Sequence, residues 1–236
     1  FGPYPNYATS QLPIVERDPV SGYIISLDGG IRKFVDSLPG LGPENANGLG
    51  QYIPVAIPDK TTYPGSDYYE IALVEFEEQM HPDLQPTKLR GYVQLETTVN
   101  QASSAHVQLT YLAGGDILKG DGTSAIAVDD PHYMGPFIMA QKDVPVRVKF
   151  HNLLPTGMAG DLFIPVDTTV MGSGMGPIPM LDEFGNPHMM PDGSMMMESY
   201  TQNRATIHLH GGRTPWISDG TPHQWITPAG EDTVYP

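Results

Sequence analysis

Residues 204–212 read Arg204-Ala205-Thr206-Ile207-His208-Leu209-His210-Gly211-Gly212. Alternate side chains of a strand share a face. In an extended segment His208 and His210 therefore project together with Thr206, while Ala205, Ile207 and Leu209 take the opposite, core-facing side. Two imidazoles on one face can each offer a ring nitrogen to a metal, and imidazole suits copper. The paired glycines let the chain turn tightly and another surface come close. The plainer reading is a pair of surface or hydrogen-bonded histidines. With 8 histidines in 236 residues, about 0.3 His-x-His matches arise by chance, so the motif alone decides nothing.

Outward from this segment the chain reads as short strands. Val144–Asn152 alternates most cleanly, with Val144, Val146, Val148 and Phe150 against Pro145, Arg147, Lys149 and His151. Asp67–Glu75 is apolar and aromatic, and Arg90–Glu96 alternates. Ala105–Leu112 puts Val107, Leu109 and Tyr111 on one face. A short strand is expected at 51–57 and a helical turn at Glu75–Met80. No helix of ordinary length and no internal repeat is read from the pattern. The 26 Gly and 24 Pro favour strands joined by turns. The fold class is therefore all-β, a sandwich or Greek-key barrel.

Composition narrows the partners. A net charge of −15, from 12 basic and 27 acidic residues, argues against nucleic acid and against an anionic membrane surface. No apolar run reaches the length of a membrane helix. Phe1 suggests a chain that begins after a removed signal peptide, hence a secreted protein. There is no cysteine, so this chain cannot build a thiolate-bound type 1 copper site.

Arg204–Glu231 as a whole, R-A-T-I-H-L-H-G-G-R-T-P-W-I-S-D-G-T-P-H-Q-W-I-T-P-A-G-E, resembles the first copper-binding motif of multicopper oxidases. The likeness is to the bacterial and archaeal branch that includes spore-coat laccase and bilirubin oxidase. Lys33–Pro39, Tyr68–Tyr92, Gly135–Ile138 and Val144–Pro155 resemble further family blocks, in family order. Arg90 stands where the family usually has tryptophan, and Lys142 where it usually has glycine. The resemblance implies a cupredoxin-like Greek-key β-barrel, incomplete within this chain. Residues 1–30 would form an extended arm and 31–236 the first cupredoxin domain, with insertions at about 93–134 and 156–203.

The resemblance also implies a site. His208 would bind type 2 copper and His210 one copper of the type 3 pair, in a trinuclear cluster that reduces dioxygen to water. Asp219 would help deliver protons, which that reaction consumes; the plainer reading is a turn aspartate before glycine. The type 1 copper and the remaining histidine ligands would lie on a second chain or a C-terminal continuation. The reductant would be a phenol, a pigment or a metal ion. His223 could be a hydrogen-bond partner of a ligand, and Trp216 and Trp225 read as packing. The rival class is a non-catalytic copper-binding or cell-surface structural protein with the same fold.

Residues 156–203 hold nine of the 12 methionines, interleaved with Gly and Pro, and read as a long loop outside the core. Thioethers are soft donors that select Cu(I), which makes Met189, Met190, Met195, Met196 and Met197 candidate Cu(I) ligands. The plainer reading is that flexible methionines fill an irregular interface.

Overall fold

One strand organises the molecule. In the computed structural model, which describes residues 14–28, 34–170, 172–220 and 224–231, β3 (Asp67–Glu78) is almost wholly buried. Its central run, Ile71–Val74, is apolar and is flanked by Tyr68, Tyr69 and Phe76, as a strand covered on both faces requires. It runs three residues past Glu75, so the helical turn expected at Glu75–Met80 is instead the strand's end. β4 (Thr87–Gln94) pairs with it antiparallel and β7 (Val146–Asn152) pairs parallel, giving the order β4-β3-β7. Gly91 faces Val74 across the first pair, and a Cβ there would lie 2.9 Å from the Phe76 ring. The missing side chain leaves the room that the Phe76 ring occupies beside β4.

Each face of β3 has its own cover. Tyr69 and Ile71 pack with Ala56 and Ile138 on one side. Ala72, Val74 and Phe76 pack on the other with Val93, Leu95, Leu109, Ile117, Ala125, Ala127 and Leu153. Burying each large aliphatic side chain there stabilises by about 1.5–3 kcal/mol. Several members of this second cluster come from the 93–134 segment, which is thus part of the core. The remaining strands are short. β1 (Ile14–Arg17) and β2 (Ile24–Asp28) form a hairpin where an extended arm was expected; residues 1–13 and 29–30 of that arm lie outside the described residues. The expected strand at 51–57 is reduced to single bridges at Ile53 and Val55. Val146 and Val148 of β7 are each 39% exposed, so the alternation predicted for that strand faces solvent in part. There is no α-helix and no closed barrel among the described residues. This is the all-β, incomplete cupredoxin-like architecture the sequence implied.

Residues 105–128 and 176–199 share one backbone design, contrary to the expectation of no internal repeat. Both are three-strand units that close on themselves. The first contains β5 (Val107–Gln108) and β6 (Ile126–Ala127). In it Ile117 N–H donates to Leu109 O, Leu109 N–H to Ala125 O and Ala125 N–H to Ile117 O, at 2.8–3.0 Å. The second contains β8 (Met175–Pro179) and β9 (Met197–Ser199). There His188 N–H donates to Met180 O, Met180 N–H to Met196 O and Met196 N–H to His188 O, each at 2.8 Å.

Leu109 and Met180 are 71 positions apart, and that offset holds through the ring and both turns, up to a register shift between Met175 and Pro179. Bridges Thr110↔Asp116 and Leu118↔Ser124 become Leu181↔Pro187 and Met189↔Met195. The pair Gln108↔Ile126 becomes Pro179↔Met197. Both units have glycines of positive φ at two equivalent turn positions, Gly114 and Gly122 in one, Gly185 and Gly193 in the other; Gly115 adds a third in the first unit, where the second has Asn186. In each an aspartate Oδ1 accepts the N–H and hydroxyl of the residue two positions on, Asp121 from Thr123 and Asp192 from Ser194. The segment 156–203, expected as irregular loop, is thus partly a second β unit.

Candidate metal centre

The histidine segment has a fixed root and an open tip. Asn203 is fully buried, and its Nδ2 donates to Pro155 O (2.8 Å) and Glu231 Oε1 (3.0 Å). Asn152, at the end of β7, donates from one amide nitrogen to Asn203 O (2.6 Å) and Ile226 O (2.8 Å). Arg90 reaches over from β4 and donates to Gln202 O (2.8 Å) and Gly160 O (2.7 Å), while holding the buried Glu75 at 2.8 Å. The arginine found where tryptophan was expected is therefore a clamp on the sheet's outer segments. Beyond the root, Arg204 lies against both rings of the edge-to-face pair Tyr200 (4.4 Å) and Trp225 (4.6 Å), and burial lowers its pKa.

Past Ala205, which bridges Ile226, no further ladder pairing of this segment is found among the described residues. The strand expected at Arg204–His210 is thus a single bridge followed by an open extension. Leu209 is 58% exposed and does not reach the core. His208 and His210 are exposed, yet their rings remain neighbours at 6.1 Å between centroids, tilted by 39°.

Asp219 returns to this tip through a one-turn 3₁₀ helix, Trp216–Ser218. His208 Nδ1 lies 2.7 Å from Asp219 O and 3.1 Å from Asp219 Oδ1. Both are acceptors, so Nδ1 is the donor, and in the neutral ring the lone pair is on Nε2. This is the arrangement in which a ligating histidine is held by a carbonyl or carboxylate behind it. Thr214 Oγ1 donates to the same Asp219 Oδ1 at 2.9 Å. Gly220 explains why the loop can return so closely: its φ is +73°, and a Cβ there would sit 2.2 Å from Ile207 O. Thr214 and Gly220 were not singled out from the sequence. The Asp-Gly pair was its only signal, and it marks an ordinary turn equally well. Trp216 is 74% exposed and does not pack as expected. His223 lies outside the described residues.

The other histidines divide clearly. His106, His132 and His151 pair with Glu96, Glu78 and Glu70 at 2.9, 2.7 and 2.9 Å. Burial raises the pKa of Glu70, but hydrogen bonds from His151 and Tyr68 and the Lys149 charge hold it below the ordinary carboxylate range. His81 Nδ1 accepts the Asp83 N–H. These are structural partners, as expected. Among the described residues no three His, Cys, Asp or Glu side chains gather as a metal site. His208 and His210 thus fit copper as two donors of a larger set, and not as a complete centre.

No family model matches the chain. A laccase of Bacillus subtilis is 26% identical over 203 residues, which is 86% of this chain and 25% of that protein. A laccase of Bacillus stratosphericus is 29% identical over 198 residues, 84% of this chain and 24% of the relative. A laccase of the archaeon Haloferax volcanii is 26% identical over 70% of this chain and 19% of its own length. No helix among the described residues is long and apolar enough to cross a membrane. The chain spans about a quarter of the length of the curated relatives it matches, and the multicopper-oxidase resemblance read from its motifs is borne out as a resemblance to part of a bacterial or archaeal laccase.

Proposed function

We propose that this chain is part of a secreted multicopper oxidase and supplies two ligands to its trinuclear copper cluster, His208 to type 2 copper and His210 to one copper of the type 3 pair. The observation that carries this reading is the contact of His208 Nδ1 with Asp219 O and Oδ1, which leaves Nε2 as the ring nitrogen open to a metal. Copper bound there supplies the reduction of dioxygen to water, with electrons arriving from a type 1 copper on a second chain or continuation. A phenol, a pigment or a metal ion would be the reductant.

This chain's residues do three things in that scheme. Asn152, Asn203 and Arg90 fix the root of the histidine segment, so the imidazoles start from a defined place. The Asp219 carbonyl fixes the His208 ring. The Asp219 carboxylate, steadied by the Thr214 hydroxyl, holds or passes a proton beside the His208 Nδ1–H, where the reaction needs protons delivered.

The test uses the protein purified with the polypeptide that carries its thiolate copper. Replacing His208 or His210 by alanine should abolish oxygen uptake and lower the copper content, while the thiolate–copper absorption stays. Asp219→Asn keeps the backbone carbonyl behind His208, so copper should remain while turnover falls by about 10²- to 10⁴-fold. Oxygen uptake unchanged in His208→Ala would sink the reading.

A further inference from the structure

The second copy of the closed three-strand unit exposes the face that the first copy buries. In the first copy Leu109, Ile117, Ala125 and Ala127 are 4%, 1%, 0% and 0% exposed and belong to one core cluster. They therefore share a face. The same hydrogen-bond ring places Met180, His188 and Met196 at the positions of Leu109, Ile117 and Ala125, and alternation along the chain from Met196 puts Glu198 on the same face, as Ala127 is in the first copy. All four are exposed; Met180 and Met196 are each 37% exposed.

The substitutions across the copies are chemically directed. Three core hydrocarbons become two thioethers and an imidazole, and a methyl group becomes a carboxylate. This face cannot serve as a second apolar seam, because a buried imidazole and carboxylate need partners that a hydrocarbon surface lacks. Each of the three ring residues is hydrogen-bonded to the other two through the backbone, at Cα separations of about 5 Å. Their side chains thus leave one small triangle in one direction, and methionine has the torsional freedom to bring its sulfur to a shared point. Two thioethers with one imidazole make a soft donor set, which selects a soft monovalent cation over calcium or magnesium. The chain's charge of −15 and the neighbouring Glu198 favour cation capture.

We infer that Met180, His188 and Met196 form a binding site for a soft monovalent cation, Cu(I) by its chemistry, separate from the His208–His210 pair. Of the five methionines singled out in the sequence, only Met190 and Met196 lie on this face by alternation. Met189, Met195 and Met197 lie on the other, where Met189 and Met195 face each other across a bridge. The site does not depend on the oxidase reading and stands or falls alone.

Ag(I), which mimics Cu(I) without redox chemistry, is the probe. It is titrated into the whole chain carrying His208→Ala and His210→Ala, with methionine methyl groups labelled for NMR. One equivalent should shift the Met180 and Met196 methyl signals first. Met180→Leu, Met196→Leu and His188→Ala should each weaken binding by roughly 10- to 100-fold. Met189→Leu and Met195→Leu, similar in size and on the opposite face, should leave it unchanged. Failure of the parent to bind Ag(I), or equal losses from both faces, would overturn the site. Far-ultraviolet dichroism of each variant identifies any loss caused by unfolding, and the two leucine variants preserve side-chain volume so that ligand loss is read on a folded chain.

Discussion

Residues 105–128 and 176–199 have one backbone and two fates. The hydrogen-bond ring, the bridges, two of the positive-φ glycines and the aspartate turns match. What differs is the face. One copy presents Leu, Ile and Ala and forms part of the core; the other presents Met, His and Met to solvent. Turn chemistry therefore specifies the shape of this unit, and the residues at three ring positions specify its use. The means of attachment differ too. The first copy is held by apolar packing and by bonds from Val128 N–H to Gln94 O and from Glu96 N–H to Ile126 O. The segments flanking the second are held at their ends by Arg90.

That contrast can be broken most directly at Arg90. Arg90→Ala leaves Glu75, 7% exposed, with Lys88 alone and should cost about 3–5 kcal/mol. Urea unfolding measures the loss, and limited proteolysis should cut between 156 and 203 while sparing 105–128. Equal cutting of both units would mean that they share one anchor. Next in size is the ring itself. Ile117→Ala empties a fully packed position and should cost about 2–5 kcal/mol, whereas Met196→Ala at the equivalent site of an exposed face should cost under about 1 kcal/mol. Similar losses would show that the second face is covered in solution.

Two smaller effects should be the same in both copies. Gly122→Ala and Gly193→Ala place a Cβ at φ +81° and +85° with nothing within 4 Å, so each should lose about 1–2 kcal/mol from backbone strain alone. Smallest is the acid response. Hydrogen bonds from Thr123 to Asp121 and from Ser194 to Asp192 lower both carboxylate pKa values below the ordinary 3.8. A depressed folded-state pKa means the turn's stability is present above 3.8 and is lost as pH falls through the folded value. Amide exchange at Thr123 and Ser194 should quicken together as the pH is lowered through that range. Divergence between them would break the equivalence of the turns.

The periodicity of β3, β4 and β7 was legible because buried strands must alternate or run apolar, and the likeness to laccases was legible in the residues around His208. The repeat was not. Its copies share little beyond Asp121-Gly122-Thr123 and Asp192-Gly193-Ser194, and the face positions differ because one copy is core and the other is not. The role of Arg90 was hidden because its main partners are backbone carbonyls, which leave no side-chain signature. His208 and His210 were read as sharing a face, and their rings are neighbours, but Ile207 and Leu209 do not anchor a strand. The alternation A-T-I-H-L-H matches an extended segment whether or not a ladder pairs with it.

The single amide nitrogen of Asn152 bears on how the molecule is made. Its two acceptors lie 51 and 74 positions later in the chain. At about 5–20 residues per second, roughly 4–15 s of synthesis separate Asn152 from its last partner. The end of β7 must wait, uncapped, through the making of the whole second unit, so the seat of the histidine segment closes only after that unit has been made.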